Sequence, residues 1–191
     1  MNRRATRPSE LDMKTRARIP CLVLGAAALG LLVASTTWNA AVSPPVALAQ
    51  VSRGSRAPEL GLADINGRAL RLADLRGKVV VVDFWASWCA PCRESFPFWN
   101  RLQRQYGSQG LVVVGVSVDR ELSNVRTFLR RNPASFRVVH DGGHAIADRY
   151  RPSTMPSTFL VDKRGVVRLV HRGFRASDTR TLETQIQALL R

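Results

Sequence analysis

Residues 79–97, VVVVDFWASWCAPCRESFP, leave this chain few ways to fold. The β-branched run Val79–Val82 offers no polar position to water, so it reads as a strand buried on both faces. Beyond Trp88-Cys89-Ala90-Pro91-Cys92 the pattern turns helical, with Phe96, Trp99, Leu102 and Tyr106 recurring at spacings of three and four. A strand, a tight turn and a helix that opens at a Cys-x-x-Cys point to a thiol–disulfide redox centre. Cys89 falls at the helix N-terminus, where unpaired N–H groups and the positive dipole end favour a thiolate over a thiol. Cys92 follows one turn later, within disulfide reach.

The flanking periodicities supply a domain around that centre. Glu59–Leu62 and Ala69–Leu72 flank Ile65-Asn66-Gly67, and an Asn-Gly between short apolar runs predicts a β-hairpin. Leu111–Val118 predicts a second buried strand, and strand–helix–strand at this spacing implies a parallel, right-handed crossover. Leu122–Arg131 reads as an amphipathic helix, Phe136–Val139 as a short strand and Ala145–Tyr150 as a short helix. Thr158–Asp162 and Val166–His171 read as strands of a hairpin turned at Lys163-Arg164-Gly165, with Leu182–Leu190 as a closing helix.

The N-terminal part has a different character. Residues 1–18 carry Arg3, Arg4, Arg7, Lys14, Arg16 and Arg18, and residues 19–36 are apolar and small; no charge returns until Arg53. That order marks an export signal or a single membrane anchor, with residues 1–18 in the cytoplasm and the rest of the chain outside it. Ala47-Leu48-Ala49 has the small-x-small form of a processing site, but it lies well past an apolar run that is itself just long enough to span a bilayer. A retained anchor is the expectation, with cleavage as its alternative. Cys21 reads as a small buried apolar residue, since Arg18-Ile19-Pro20 is not the context of a lipid-modified cysteine. Residues 37–56, rich in Ser, Thr, Pro and Ala, read as a linker to a domain over 57–191.

The formal net charge is +15, carried mostly by scattered arginines with no run longer than two and no interleaved aromatics. This describes a solvated basic surface and argues against a nucleic-acid partner. Three cysteines are too few for a disulfide framework. A zinc site would need a second pair or patterned histidines, so no metal is expected; His140, His144 and His171 are dispersed and expected to be without a role, and Arg93 and Glu94 read as solvated helix residues.

In the strand–helix setting, with Trp88 before the motif, "VVVGVSVD" in the middle and "MPSTFLVDKRG" downstream, the chain from about Ala57 onward resembles the thioredoxin superfamily, in particular its TlpA/ResA-like extracytoplasmic thiol–disulfide oxidoreductases. The resemblance implies an α/β thioredoxin fold, a central mixed sheet flanked by helices, with an N-terminal β-hairpin and an insertion between Asp119 and Met155 that shapes partner recognition. It implies Cys89 as the attacking thiolate and Cys92 as the resolving thiol of a redox disulfide, with no cofactor. Asp83, six residues before Cys89, matches the buried acid that takes a proton from Cys92 during resolution. Pro156 matches the family's cis-proline opposite the disulfide, and Met155 before it offers its backbone to an extended substrate. Trp88 and Pro91 complete the expected substrate surface, with Trp85 equally readable as core; Pro97 matches the proline that kinks the active-site helix.

The function implied is a reductant of protein disulfides in the cell envelope, fed by a membrane electron donor, with apocytochrome c haem-attachment sites or copper-site cysteine pairs as substrates. Pro91 takes the position of the second residue of thioredoxin's own Gly-Pro pair, and no His lies in the motif, so a potential on the reducing side of the family's range is expected. Three alternatives stand beside it. A disulfide oxidase or isomerase needs a higher potential, and a copper metallochaperone needs a ligating His beside the thiolates. A peroxidase, suggested by the Ala57-Pro58 lead-in, needs Thr or Ser three residues before Cys89, where this chain has Ala86.

Overall fold

A computed structural model describes residues 50–191. The basic segment, the apolar run and most of the linker lie outside the described residues. Among the described residues no helix is long and apolar enough to cross a membrane.

The hairpin strands β1 (Leu62–Ala63) and β2 (Ala69–Leu70) are antiparallel and turn at Asn66-Gly67, where Gly67 takes φ 80°. They are shorter than the apolar runs suggest because Glu59 diverts the flanks. Its carboxylate accepts the N–H groups of Leu60, Leu72 and Ala73, drawing Leu72–Leu75 into a 3-10 turn.

The main sheet has five strands in the order β5-β4-β3-β6-β7. At its centre β3 (Val79–Trp85) is parallel to β4 (Leu111–Ser117) and antiparallel to β6 (Ser157–Val161). β5 (Arg137–His140) adds parallel to β4, and β7 (Val167–Arg172) closes the other edge as a hairpin with β6. The helices are α1 (Ala90–Tyr106), α2 (Leu122–Arg131), α3 (Ala147–Tyr150) and α4 (Thr179–Leu190). All seven residues of β3 are buried, Asp83 among them, as the β-branched run Val79–Val82 leads one to expect of a strand covered on both faces. Val79 and Val81 join Trp99, Leu102, Leu182 and Ile186 in one cluster. Val80, Val82 and Phe84 alternate to the opposite face and join Leu60, Leu70, Tyr150 and Phe159.

The segment between Asp119 and Met155 holds α2, β5 and α3. Its edge strand is not left bare: Ile65 N–H donates to Val138 C=O at 2.9 Å, and Asp64 bridges Val139. Asp64 also accepts Arg137 Nε at 3.1 Å. Burial pushes the Asp64 carboxyl up, but the N–H groups of Arg68 and Asn66 and the Arg137 guanidinium outweigh it and hold the pKa below the usual carboxylate value.

Residues 51–56, assigned to the linker by composition, instead lie along β7. Val51 is buried, Gly54 N–H donates to Val167 C=O at 2.8 Å, and Val167 N–H donates to Ser55 C=O at 2.9 Å. One apolar residue among small polar ones carries no period, so the added edge contact is invisible before the fold exists.

Candidate redox site

The polypeptide leaves β3 at Trp85, whose C=O accepts Val118 N–H at 3.0 Å, and turns so that Cys89 N–H reaches Ala86 C=O at 3.1 Å. This turn is pinned by a residue that periodicity does not reveal. Asp119, 2% exposed, accepts Ser87 N–H at 2.9 Å, Ser87 Oγ at 2.6 Å and Ser117 Oγ at 2.7 Å. Its own C=O accepts His140 Nε2–H at 2.8 Å. A charged residue closing an apolar strand, as in Val116-Ser117-Val118-Asp119, is the signal that finds it: a carboxylate there must be paid in hydrogen bonds. Asp119→Ala strands three donors, the buried Ser117 hydroxyl and the part-buried N–H and hydroxyl of Ser87, and the oxidised protein is expected to lose about 2–4 kcal/mol in urea unfolding. An unchanged midpoint would mean the loop is held by other contacts.

Cys89 is the N-cap of α1, and its Sγ accepts Cys92 N–H at 3.2 Å. Pro91 lies in the first turn, where a missing N–H costs nothing. Cys89 and Cys92 form a disulfide with Cα atoms 5.3 Å apart. Cys92 is fully buried and Cys89 nearly so, at 5%, so what exposure the pair has belongs to Cys89. Trp88 beside it is 70% exposed, the large hydrophobic residue that stands out of the surface among the described residues. Trp85 is fully buried between Phe96 and Phe128, with ring centroids 4.8 Å from each. It is core. Gly115 makes room for it, since a Cβ there would come within 3.0 Å of the indole nitrogen and 2.9 Å of Phe136.

Asp83 is 2% exposed and accepts Thr158 Oγ1–H at 2.6 Å, the two residues being register partners across β3 and β6. Burial pushes its pKa up to about 7, against the pull of the Thr158 hydroxyl and of the Trp99 indole N–H, which approaches without completing a hydrogen bond. Trp99 is seven residues after Cys92, so both lie on the stripe of α1 that faces the sheet.

The Met155–Pro156 peptide is cis. Pro156 precedes Ser157, which pairs with Phe84, so the peptide sits at the end of the sheet where β3 runs out towards Cys89. Met155 packs against the core cluster that contains both cysteines, and Gly173 N–H donates to Pro156 C=O at 2.8 Å. Pro97 lies exposed inside α1, and Arg93 and Glu94 are exposed. His171 approaches Asp178 at 3.2 Å, and His144, at φ 58°, lines a groove of about 510 Å³ with Met155 and Arg151. Among the described residues no three His, Cys, Asp or Glu side chains converge as a metal site.

With that geometry in hand, similarities to known proteins are informative. The sequence profile of the AhpC/TSA family matches residues 53–170. The thiol–disulfide oxidoreductase ResA of Geobacillus thermodenitrificans is 38% identical over 123 residues, 64% of this chain and 71% of that protein. ResA of Bacillus subtilis is 38% identical over 117 residues, 61% of this chain and 65% of its own length. The crystal structure of a thiol:disulfide interchange protein DsbE from Chlorobium tepidum superposes with a TM-score of 0.72 at 41% identity, covering 74% of this chain and all of that one.

Proposed function

Because this chain belongs to the AhpC/TSA family and is a thioredoxin-like thiol–disulfide oxidoreductase related to ResA, we propose that it reduces protein disulfides on the outer side of the cytoplasmic membrane. The observation that carries the reading is the cysteine pair itself: a disulfide at the start of α1, with the Cys92 N–H directed at Cys89 Sγ. Once reduced, Cys89 keeps that N–H and the helix N-terminus as stabilisers of its thiolate.

Exchange then runs in two displacements. Cys89 thiolate attacks one substrate sulfur, the substrate disulfide breaks, and the departing sulfur leaves as a thiolate that takes a proton from water. Cys92 attacks Cys89 Sγ, forms the internal disulfide and expels the second substrate sulfur. Ionised Asp83 takes the Cys92 proton through the interior. Trp88, Pro91, Met155 and Pro156 form the surface on which the substrate chain lies. In an oxidising compartment the spent enzyme needs electrons, and residues 1–36 would hold it beside a membrane protein that supplies them. Cysteine pairs awaiting haem or copper, in apocytochromes c or copper proteins, are the substrates this arrangement suits.

The test is the midpoint potential of Cys89–Cys92 in the full-length protein, equilibrated in dithiothreitol and glutathione buffers and read by thiol alkylation. A value near that of thioredoxin, about −270 mV, is expected. A value near that of DsbA, about −120 mV, would make the protein a catalyst of disulfide formation instead.

A further inference from the structure

Six arginines of the described residues are tied to carboxylates: Arg68 and Arg137 to Asp64, Arg71 to Asp74, Arg101 to Glu183, Arg164 and Arg168 to Asp162. Two beside the redox motif are not. Arg93 directly follows Cys92 and Arg131 closes α2, and neither has an ion-pair partner among the described residues. Both line one groove of about 410 Å³, whose near wall is Ser87 and whose apolar side is Phe128. Arg131 and Asn132 also line a second groove of about 330 Å³ that runs between α1 and α2, past Pro97 and Arg104, to Pro133. The two grooves adjoin at these shared lining residues. No Asp or Glu lines either.

We propose that this groove binds an acidic, extended stretch of the substrate protein next to its disulfide. The proposal rests on the exchange reaction above and adds the class of substrate. Three observations lead to it. The groove is flanked by the cysteine motif, because Ser87 just before Trp88–Cys92 and Arg93 just after it both line it. Its charge is of one sign and lacks internal counter-ions, while the guanidinium fork matches a carboxylate in two parallel hydrogen bonds. Its length also fits a polypeptide: Arg93 to Arg104 spans about 16 Å of helix, the reach of about five residues of extended chain. A lipid headgroup layer would meet a flat basic face and has no use for a groove ending at Pro133.

The experiment compares three disulfide-bonded peptides, alike except for a flank of four Glu, four Ser or four Lys, as substrates of the reduced full-length protein. The Glu peptide is expected to react about tenfold faster than the Ser peptide, and the Lys peptide more slowly. Arg131→Glu should reverse the order, and 0.5 M salt, which shortens the screening length to about 4 Å, should level it. Hydroxyethyl disulfide should be reduced equally by both proteins; if neither reduces it, the exchange reading fails on its own account. The groove is judged apart from turnover by the anisotropy of the same peptides with serine in place of cysteine. Tighter binding of the Glu peptide, lost in Arg131→Glu, supports the proposal. Equal binding of all three overturns it. So does loss of phosphatidylglycerol-vesicle binding in Arg131→Glu with peptide binding alike throughout, which would assign the arginines to a membrane surface.

Discussion

Cys92→Ser is expected to leave the protein covalently joined to its substrate, whereas Cys89→Ser is expected to leave it inert. The asymmetry follows from burial and capping. Cys89 is the sulfur with residual exposure and the one that receives the Cys92 N–H, while Cys92 has no exposed surface at all. In the proposed mechanism a substrate disulfide therefore meets Cys89. With Cys92 present, the mixed disulfide is short-lived because the second sulfur is one helical turn away. With serine there, nothing resolves it, and the adduct should accumulate on a non-reducing gel and give the summed mass. Loss of the attacking thiolate should lower exchange by at least on the order of 10³-fold. Adducts trapped by Cys89→Ser and not by Cys92→Ser would reverse the two roles.

Asp83→Asn should stabilise the oxidised protein at pH 8 and slow its turnover at the same pH. The buried carboxyl has a pKa of about 7, above the ordinary 3.8. Between those values the native state holds a proton that the unfolded chain has lost, so stability falls as pH rises through that window. Above about pH 7 the whole penalty is present, as much as about 4 kcal/mol, and below the ordinary value it is absent. The asparagine variant carries no such slope, and the difference between the two proteins isolates this site from carboxylates such as Asp64, Asp162 and Glu183, whose lowered pKa values act at the acid end. In kinetics the same change removes the proposed acceptor for the Cys92 proton. The resolving step should slow by about 10²-fold and lose its inflection near pH 7. A variant that keeps the wild-type pH–rate profile would return Asp83 to a purely structural part.

Much of the fold is legible in one dimension, and the reason is period. β3, β4, α1 and α2 each expose their character within a few residues, as β-branched runs or as apolar positions three and four apart, and their observed bounds fall close to the expected ones. The Cys-x-x-Cys is legible for the same reason: its two sulfurs are neighbours in the chain and need only one helical turn to meet. Residues 51–56 and the Glu59 staple were not legible, because their partners, β7 and the turn at Leu72, are brought to them by other elements.

The amino-acid sequence by itself determined the buried central strand, the turn, the helix opening at Cys89 and the membership in a thioredoxin-like family. All of these depend on contacts within a few residues or on motifs of fixed spacing. Only the tertiary structure decided that Asp83 is buried with one hydroxyl partner, that Asp119 holds Ser87, and that two unpaired arginines share a groove flanked by the cysteine motif. These partners stand 75, 32 and 38 residues apart. Strand register and helix packing choose among many such pairings, and no local periodicity records the choice.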